Sequence, residues 1–426
     1  MCSERWKLVS AVLVLCLAAG CGDFGHSSTP AFPDGGLLAD ARPVAPDALT
    51  SVAGVAAVTG FVVPFGDPMV VHATTRQVSL FGSEQAWYAI LDAGCLEGGS
   101  RLVLEGVWRH GNQDDAGLAR LEVLPAELAA TLCAASAPVD VAGFPGARLE
   151  GGMGKGASFA TPTSLELVAP LVPMDDFVVG AHHGVCDDTA NCGIPSNSVE
   201  AVLASEAYGF QGIEVDARLT KDGVPIAYHD ASFSAKVTKG TYCVGKVDDY
   251  PLSVIQANCQ LHEGARIPTI EETLRAGYED TQLRGLWLDA KVPDAIAPLN
   301  ELARRYNERA AADGRRFKAL VGLPDPETLD EYLKIDPSAR AGCITEEALE
   351  DAENAGCAVW AVQLQRGFAP GRLAEARSKG IQSLYWTVNR RELIDESLAD
   401  PNLGGLLTDR GPLVFSRYQL LHGGAR

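Results

Sequence analysis

Hydrophobic and polar positions follow two different rhythms along this chain. From about Ser51 to Val168 the apolar positions form short runs at Gly60–Pro64, Met69–Thr74, Ala86–Leu91, Arg101–Trp108 and Leu118–Leu124. Gly, Asp and Asn separate them, the pattern of short strands joined by turns. One helical stretch, Ala126–Ser136, follows Pro125. From about Phe177 apolar runs of strand length alternate with stretches of helical period. The runs are Phe177–Ala181, Gly212–Leu219, Pro225–Tyr228, Gly285–Ala290, Phe317–Val321, Arg340–Ile344, Ala358–Gln363 and Ile381–Thr387. Helical patterns at Ser198–Tyr208, Thr269–Gly277, Asp294–Asp313 and Pro326–Leu333 lie between them. Strand then helix, repeated about eight times, predicts an α/β fold of the (β/α)8 barrel kind. A doubly wound sheet would carry a Gly-rich phosphate turn after its first strand, and none is present. The Gly151–Gly156 stretch lacks the strand–helix context of a phosphate loop and reads as a linker.

The rest of the chain divides around these blocks. Residues 1–20 hold Arg5 and Lys7, the apolar run Leu8–Leu17, then Ala18, Ala19 and Gly20. That is the three-part layout of a secretory signal, too short to span a membrane comfortably. The segment Leu17-Ala18-Ala19-Gly20-Cys21 resembles a bacterial lipoprotein signal, with Ala18 where that family usually has Leu. The resemblance implies lipid on Cys21, attachment to a membrane through it, and an exported location facing the periplasm or the cell surface. Residues 21–50, rich in Gly, Pro, Ala and Asp without periodicity, read as a flexible tether. Residues 51–168 form a small β-rich domain resembling an OB-fold, and residues 175–416 the large barrel. Trp108 and Arg109 in the small domain read as packing and receive no site.

Composition narrows the functions. The chain is 47% hydrophobic and 21% charged, which excludes disorder throughout. Its 35 basic and 55 acidic residues give a net charge of −20, which repels nucleic-acid backbones. Of its 11 cysteines, Cys2 and Cys16 leave with the signal and Cys21 goes to lipid. The remaining eight fall in sequence-local pairs: Cys95 and Cys133, Cys186 and Cys192, Cys243 and Cys259, Cys343 and Cys357. Eight cysteines allow about 105 connectivities, of which local pairing is the expected one. No Cys-x-x-Cys spacing supports a zinc site instead.

Barrels of this kind carry their chemistry at the C-terminal ends of the strands. Those ends supply His182-His183, the pair Glu214 and Asp216, His229 after the third run, Asp289 and Lys291 after the fourth, and Trp386 in the last. Glu214 and Asp216, two apart in a strand, share a face. Two carboxylates that close repel unless a cation lies between them. With Asp289 they suit one hard divalent ion, Ca²⁺ or Mg²⁺. His182 and His229 suit acid–base work near neutrality, and Lys291 an anionic oxygen. The set reads as phosphoryl chemistry.

These residues resemble the glycerophosphodiester phosphodiesterase family. The match runs through His182-His183-Gly184, Asn197, Ile213–Asp216, Thr220–Gly223, His229-Asp230, Ile267–Glu272, Trp386–Asn389 and Leu407–Asp409. The resemblance implies a TIM barrel, a metal held at Glu214, Asp216 and Asp289, and His182 and His229 as the acid–base pair. It places Lys291, Asn197 and Trp386 beside a small or lipid-derived phosphodiester, cleaved to glycerol 3-phosphate and an alcohol, with no protein partner implied. Three positions depart from the pattern. His183 replaces an anion-binding Arg, for which Arg218 is a candidate substitute, its other reading being a surface or supporting role; Ser196 replaces an acid; Asp289 stands where many members have Glu. Asp289 is shared with the related phospholipase D-type secreted toxins, the sphingomyelinase D kind, which makes headgroup cleavage of phospholipids the alternative. A non-catalytic surface-binding lipoprotein is the alternative of another class.

Overall fold

The computed structural model describes residues 29–423 except residue 62, residues 111–112, residues 187–191 and residue 241. The expected signal and Cys21 lie outside the described residues.

Strands of the first unit run β1 (Gly54–Thr59), β2 (Met69–Ala73), β3 (Gln77–Phe81), β4 (Trp87–Leu96), β5 (Arg101–His110), β6 (Gln113–Leu124), β7 (Arg148–Lys155) and β8 (Thr161–Ala169). Each pairs antiparallel with the next, and β8 returns to β1. This is an up-and-down closed barrel, so the OB-fold expectation, a five-stranded Greek key, is corrected. Its core holds Val71, Leu80, Leu91, Leu104, Trp108 and Leu121, and the helix Ala126–Ala134 adds Leu128 and Leu132.

Three further expectations change here. The first strand is Gly54–Thr59, not Gly60–Pro64. Gly151–Gly156 is no linker, because Gly151 to Lys155 belong to β7. A Cβ on Gly151 would stand 2.2 Å from the Arg120 carbonyl oxygen, so the neighbouring strand admits only glycine there. The expected tether does not reach residue 50. Leu49 and Val52 enter the core, Arg42 exchanges backbone hydrogen bonds with Cys95, and the Arg120 guanidinium packs over Phe32 and Phe159. Enough apolar surface is buried to fix this stretch despite its composition.

The second unit is an eight-stranded parallel barrel: β9 (Val178–Ala181), β10 (Gly212–Leu219), β12 (Gly285–Ala290), β13 (Lys318–Leu323), β14 (Cys343–Thr345), β15 (Val359–Gln363), β16 (Gln382–Trp386) and β17 (Gly405–Thr408). β17 pairs with β9, and β9 with β10, closing the ring. The run expected as the third barrel strand is β11 (Pro225–Ala227), a hairpin arm antiparallel to β10. The turn between them is too short for a parallel crossover, which needs a dozen or more residues. The missing eighth strand is β17, and Trp386 therefore ends the seventh. Residues 228–268 form an excursion with its own apolar core around Tyr228, Phe233, Ile255 and Ile267. Helices follow their caps: Ser198 accepts from the Ala201 amide before Val199–Ala204, and Thr269 with Glu272 forms a capping box before Ile270–Glu279.

The two units share one hydrophobic cluster. Val70, Phe81 and Tyr88 on the outside of the small barrel join the helix layer of the large one. Phe81 meets Phe415 edge-on at 5.7 Å between ring centroids, and Ser79 Oγ donates to the Ala207 carbonyl at 2.6 Å. His72 lies between Phe81 and Phe415, its Nε2 2.9 Å from the Glu206 carbonyl. The four disulfides join Cys95 to Cys133, Cys186 to Cys192, Cys243 to Cys259 and Cys343 to Cys357.

Candidate active site

Register brings the acids together before any side-chain contact is considered. Asp216 of β10 is the direct parallel partner of Asp289 of β12, and Glu214 lies two residues earlier on the same face. Ligand oxygens of all three lie within 4.8 Å of one another, and all three residues are buried. Lys291 Nζ is 2.7 Å from Asp216 Oδ1 and also contacts Asp289 Oδ2. One ammonium faces three carboxylates, so the cluster lacks positive charge.

The protonation pattern follows from that imbalance. Burial pushes the Glu214 carboxyl well above the usual range, and the charges of Asp216 and Asp289 add to it. Burial also raises Asp289, with Lys291 opposing. At Asp216 burial works upward too, but Lys291, His183 and His229 outweigh it and bring the carboxyl to about 2. Burial disfavours the Lys291 ammonium, yet the three carboxylates together raise its pKa. Glu214 Oε2 and Asp289 Oδ1 are buried with no hydrogen-bond partner. Acceptor-only oxygens left so are costly unless a cation meets them. An all-oxygen set of this kind fits a hard divalent ion.

His182 follows β9 at the mouth. Its Nδ1 lies 2.9 Å from Asp409 Oδ1, and its Nε2 faces Glu214 Oε2 at 3.9 Å. A carboxylate can only accept, so Nδ1 carries the proton and Nε2 is left facing the acid cluster. Burial raises the Asp409 carboxyl, but His182 and the Asn389 amide outweigh it and hold it below the usual range. Asn389 donates to Asp409 Oδ2 and accepts from the Asp409 amide at 2.9 Å. Asp409, directly after β17, lies within the matched segment Leu407–Asp409 but was not among the expected site residues, because β17 is too short and glycine-flanked to read as a strand.

His229 sits at the rim on the arm continuing from β11, with 59% of its side chain exposed and Nδ1 2.8 Å from Asp230 Oδ1. Arg218 anchors that arm, donating from Nε to the His229 carbonyl at 2.7 Å. Burial, with the charge of His182 next, lowers His183 to about 4, so its imidazole is neutral at pH 7. His183 and Asn197 both adopt left-handed backbone, at φ 45° and 55°, unusual for residues other than glycine. The Asn197 amide donates to Asp216 Oδ2 at 2.6 Å and accepts from the Asp216 amide at 2.9 Å. Asn197 is therefore placed behind Asp216; any contact with substrate falls to its remaining N–H. Trp386 lies in the barrel interior with its indole N–H buried and unpartnered. Glu346, just beyond β14, was also unforeseen; burial and then Asp289 push its carboxyl up to about 8.

Comparison with known proteins gives one family. The model of the "Glycerophosphoryl diester phosphodiesterase family" matches residues 189–411, a span that begins after His182 and His183 and leaves out the first barrel. A "probable glycerophosphodiester phosphodiesterase 2" of Mycobacterium tuberculosis is 26% identical over 242 residues, 52% of this chain and 84% of that protein. A glycerophosphodiester phosphodiesterase of Caldanaerobacter subterraneus subsp. tengcongensis is 24% identical over 244 residues, 54% of this chain and 93% of its own. Among solved structures, an Oleispira antarctica phosphodiesterase in complex with its product sn-glycerol-3-phosphate aligns with a TM-score of 0.45 and 18% identity. That alignment covers 56% of this chain and 96% of the other.

Proposed function

The chain belongs to the glycerophosphoryl diester phosphodiesterase family, and from that premise we propose how its site works: it hydrolyses glycerophosphodiesters to glycerol 3-phosphate and an alcohol. The observation that carries the reading is the buried triad Glu214, Asp216 and Asp289, with two orphaned oxygens, beside the oriented His182. Glu214, Asp216 and Asp289 would hold a divalent ion, which when bound would supply Lewis acidity to the phosphoryl group. Which ion, Ca²⁺ or Mg²⁺, is set by the all-oxygen donor set only as far as its hardness.

The protein's own residues do the rest. Lys291, tied to Asp216 and Asp289, presents positive charge to the equatorial oxygens of the transition state. His182 and His229 work as a pair. One takes the proton from the attacking water as the new P–O bond forms, or from a glycerol hydroxyl if the cyclic phosphate forms first and water then opens it; the other gives a proton to the departing alcohol oxygen as the old bond breaks. Asp409 holds His182 in the tautomer that leaves Nε2 at the centre. Because His183 is neutral, Arg218 supplies the fixed cationic charge at the rim that a guanidinium after the first His would otherwise give. His229→Ala tests the assignment: turnover falls at least a hundredfold, and unchanged turnover removes His229 from the chemistry.

The N-terminal features belong to the same reading. Residues 1–21 direct export and lipid attachment at Cys21, which holds the enzyme on a membrane facing an oxidising compartment. The four disulfides support such a compartment, since cytosolic thiols stay reduced. A thiol reagent applied to denatured, unreduced mature protein labels nothing; a labelled cysteine contradicts the assignment of Cys21 to lipid.

A further inference from the structure

At the N-terminal ends of the barrel strands, opposite the catalytic mouth, a cavity of about 900 Å³ opens into the barrel. Parallel barrels of this size ordinarily fill their interior with layers of side chains. Here the lowest layer is contributed largely by residues without one: Gly212, Gly285, Gly342 and Gly404 all line the opening. Above them Trp287, Leu320, Ile344, Val359, Leu384 and Leu407 form an apolar wall. Leu320 and Leu384 remain only partly buried although they belong to the interior of a closed barrel. At the inner end the cavity reaches Glu214.

The rim has the opposite character to the rest of the molecule. Arg284, Arg315, Arg316, Lys318 and Arg377 line it against Asp175 and Asp176, an excess of three positive charges in a chain of net charge −20. Only Arg316 is paired with one of those acids. Arg284, Arg315 and Arg377 instead donate to the carbonyls of Met174, Thr281 and Pro401, which orients them without neutralising them. A cationic ring above an apolar shaft is complementary to an anionic head carrying one alkyl chain. Where its own side chains leave the interior unfilled, an eight-stranded barrel holds at most one small or single-chain ligand.

We propose that this cavity binds a single-chain anionic amphiphile, head at the arginine–lysine rim and tail against the Leu320–Leu384 wall. The site opens on the face opposite the proposed catalytic mouth, shares Glu214 with the acid triad, and its binding stands whether or not that activity does. Since Glu214 forms both the inner end of the cavity and part of the acid triad, occupancy is felt at the carboxylates. A membrane-held enzyme would sense lipid-breakdown products this way.

The test uses the exported chain carrying Cys21→Ser, purified without detergent, titrated by calorimetry and tryptophan fluorescence. Probes are hexadecanoate, a lysophosphatidate of the same chain length, and hexadecanol, all below their aggregation limits. At least one anionic probe saturates one site and binds at least tenfold more tightly than hexadecanol. Binding of hexadecanoate alone assigns a carboxylate head, of lysophosphatidate alone a phosphate head; both are forms of the proposal. Lys318→Glu with Arg377→Glu weakens binding at least tenfold, Leu384→Trp or Ile344→Phe abolishes it in whichever folds with an unchanged melting point, and His182→Ala leaves it intact. Absence of saturable binding, equal affinity for hexadecanol, indifference to the rim and wall substitutions, or loss of binding in His182→Ala overturns the proposal.

Discussion

Replacing Asp409 by Asn separates the chemistry of the site from its architecture. The change keeps size and the contact with Asn389, but puts an amide where a carboxylate accepts from His182 Nδ1 at 2.9 Å. A hydrogen bond to a charged partner contributes about 1.5–3 kcal/mol. If that stabilisation is expressed only as imidazolium forms in the transition state, its loss slows turnover roughly 10- to 100-fold, at about 1.4 kcal/mol per decade. The amide also offers an N–H to Nδ1, favouring the tautomer with its proton on Nε2 and removing the lone pair that faces Glu214 across 3.9 Å. That second effect adds to the first, so 10-fold is the smaller expected loss. KM changes little, because Asp409 touches His182 and Asn389 and not the acid triad. The assay is steady-state release of glycerol 3-phosphate with a parallel metal titration. A kcat within twofold of the wild type, or a loss traced entirely to weaker metal binding, refutes the reasoning.

Three other perturbations have defined outcomes. Burial lowers His72 to about 4 against 6.5 unfolded, so the native state holds it neutral. Its contribution is intact above pH 6.5 and lost as pH falls toward 4; Phe at this position removes up to about 2 kcal/mol of the stability lost between pH 6.5 and 5, measured by urea unfolding at both values. An unaltered pH dependence would show that His72 protonates freely in the folded state. Gly151→Ala forces a Cβ to 2.2 Å from the Arg120 carbonyl oxygen and destabilises the small barrel by about 1–3 kcal/mol, again by urea unfolding; no change would mean the strands separate easily. Asn197→Ala removes both of its hydrogen bonds to Asp216 and weakens metal binding about 10- to 100-fold in a direct titration, whereas unchanged affinity would deny Asn197 that role.

Much of the second barrel could be read from the chain because parallel strands buried on both faces are continuous apolar runs bounded by helical periods. Glu214, Asp216 and Asp289 were legible because they interrupt those apolar runs at the strand ends where such barrels carry their chemistry, two of them at the spacing of one strand face. The two errors in the strand count share a cause. Pro225–Ala227 has the composition of a barrel strand, and only the length of its connection reveals a hairpin arm; Gly405–Thr408 has barrel geometry but too few residues to announce it. Asp409 was visible as part of the Leu407–Asp409 match, but without that strand nothing placed its carboxylate beside His182. Glu346 was hidden differently, since nothing local distinguishes a glutamate near Asp289 from one on the surface. In the small barrel, β7 is composed of residues that disfavour strands, and Gly151 and Gly152 are required there by the carbonyls of Arg120 and Phe159, a constraint invisible in the local sequence. The docking of Phe32, Arg42 and Leu49 likewise depends on partners far along the chain.

The central claim is that three buried carboxylates hold a divalent ion required for diester hydrolysis. It is met most directly by following products from glycerophosphocholine and glycerophosphoethanolamine with the purified protein as isolated, after exhaustive chelation, and after separate return of Ca²⁺ and Mg²⁺. Glycerol 3-phosphate and free alcohol are the expected products, abolished by chelation and restored by at least one ion, with Glu214→Gln inactive throughout. Full turnover in excess chelator contradicts the claim, as does inactivity on these diesters alongside release of a free headgroup, with a lipid phosphate or cyclic phosphate, from intact lysophospholipid or sphingomyelin.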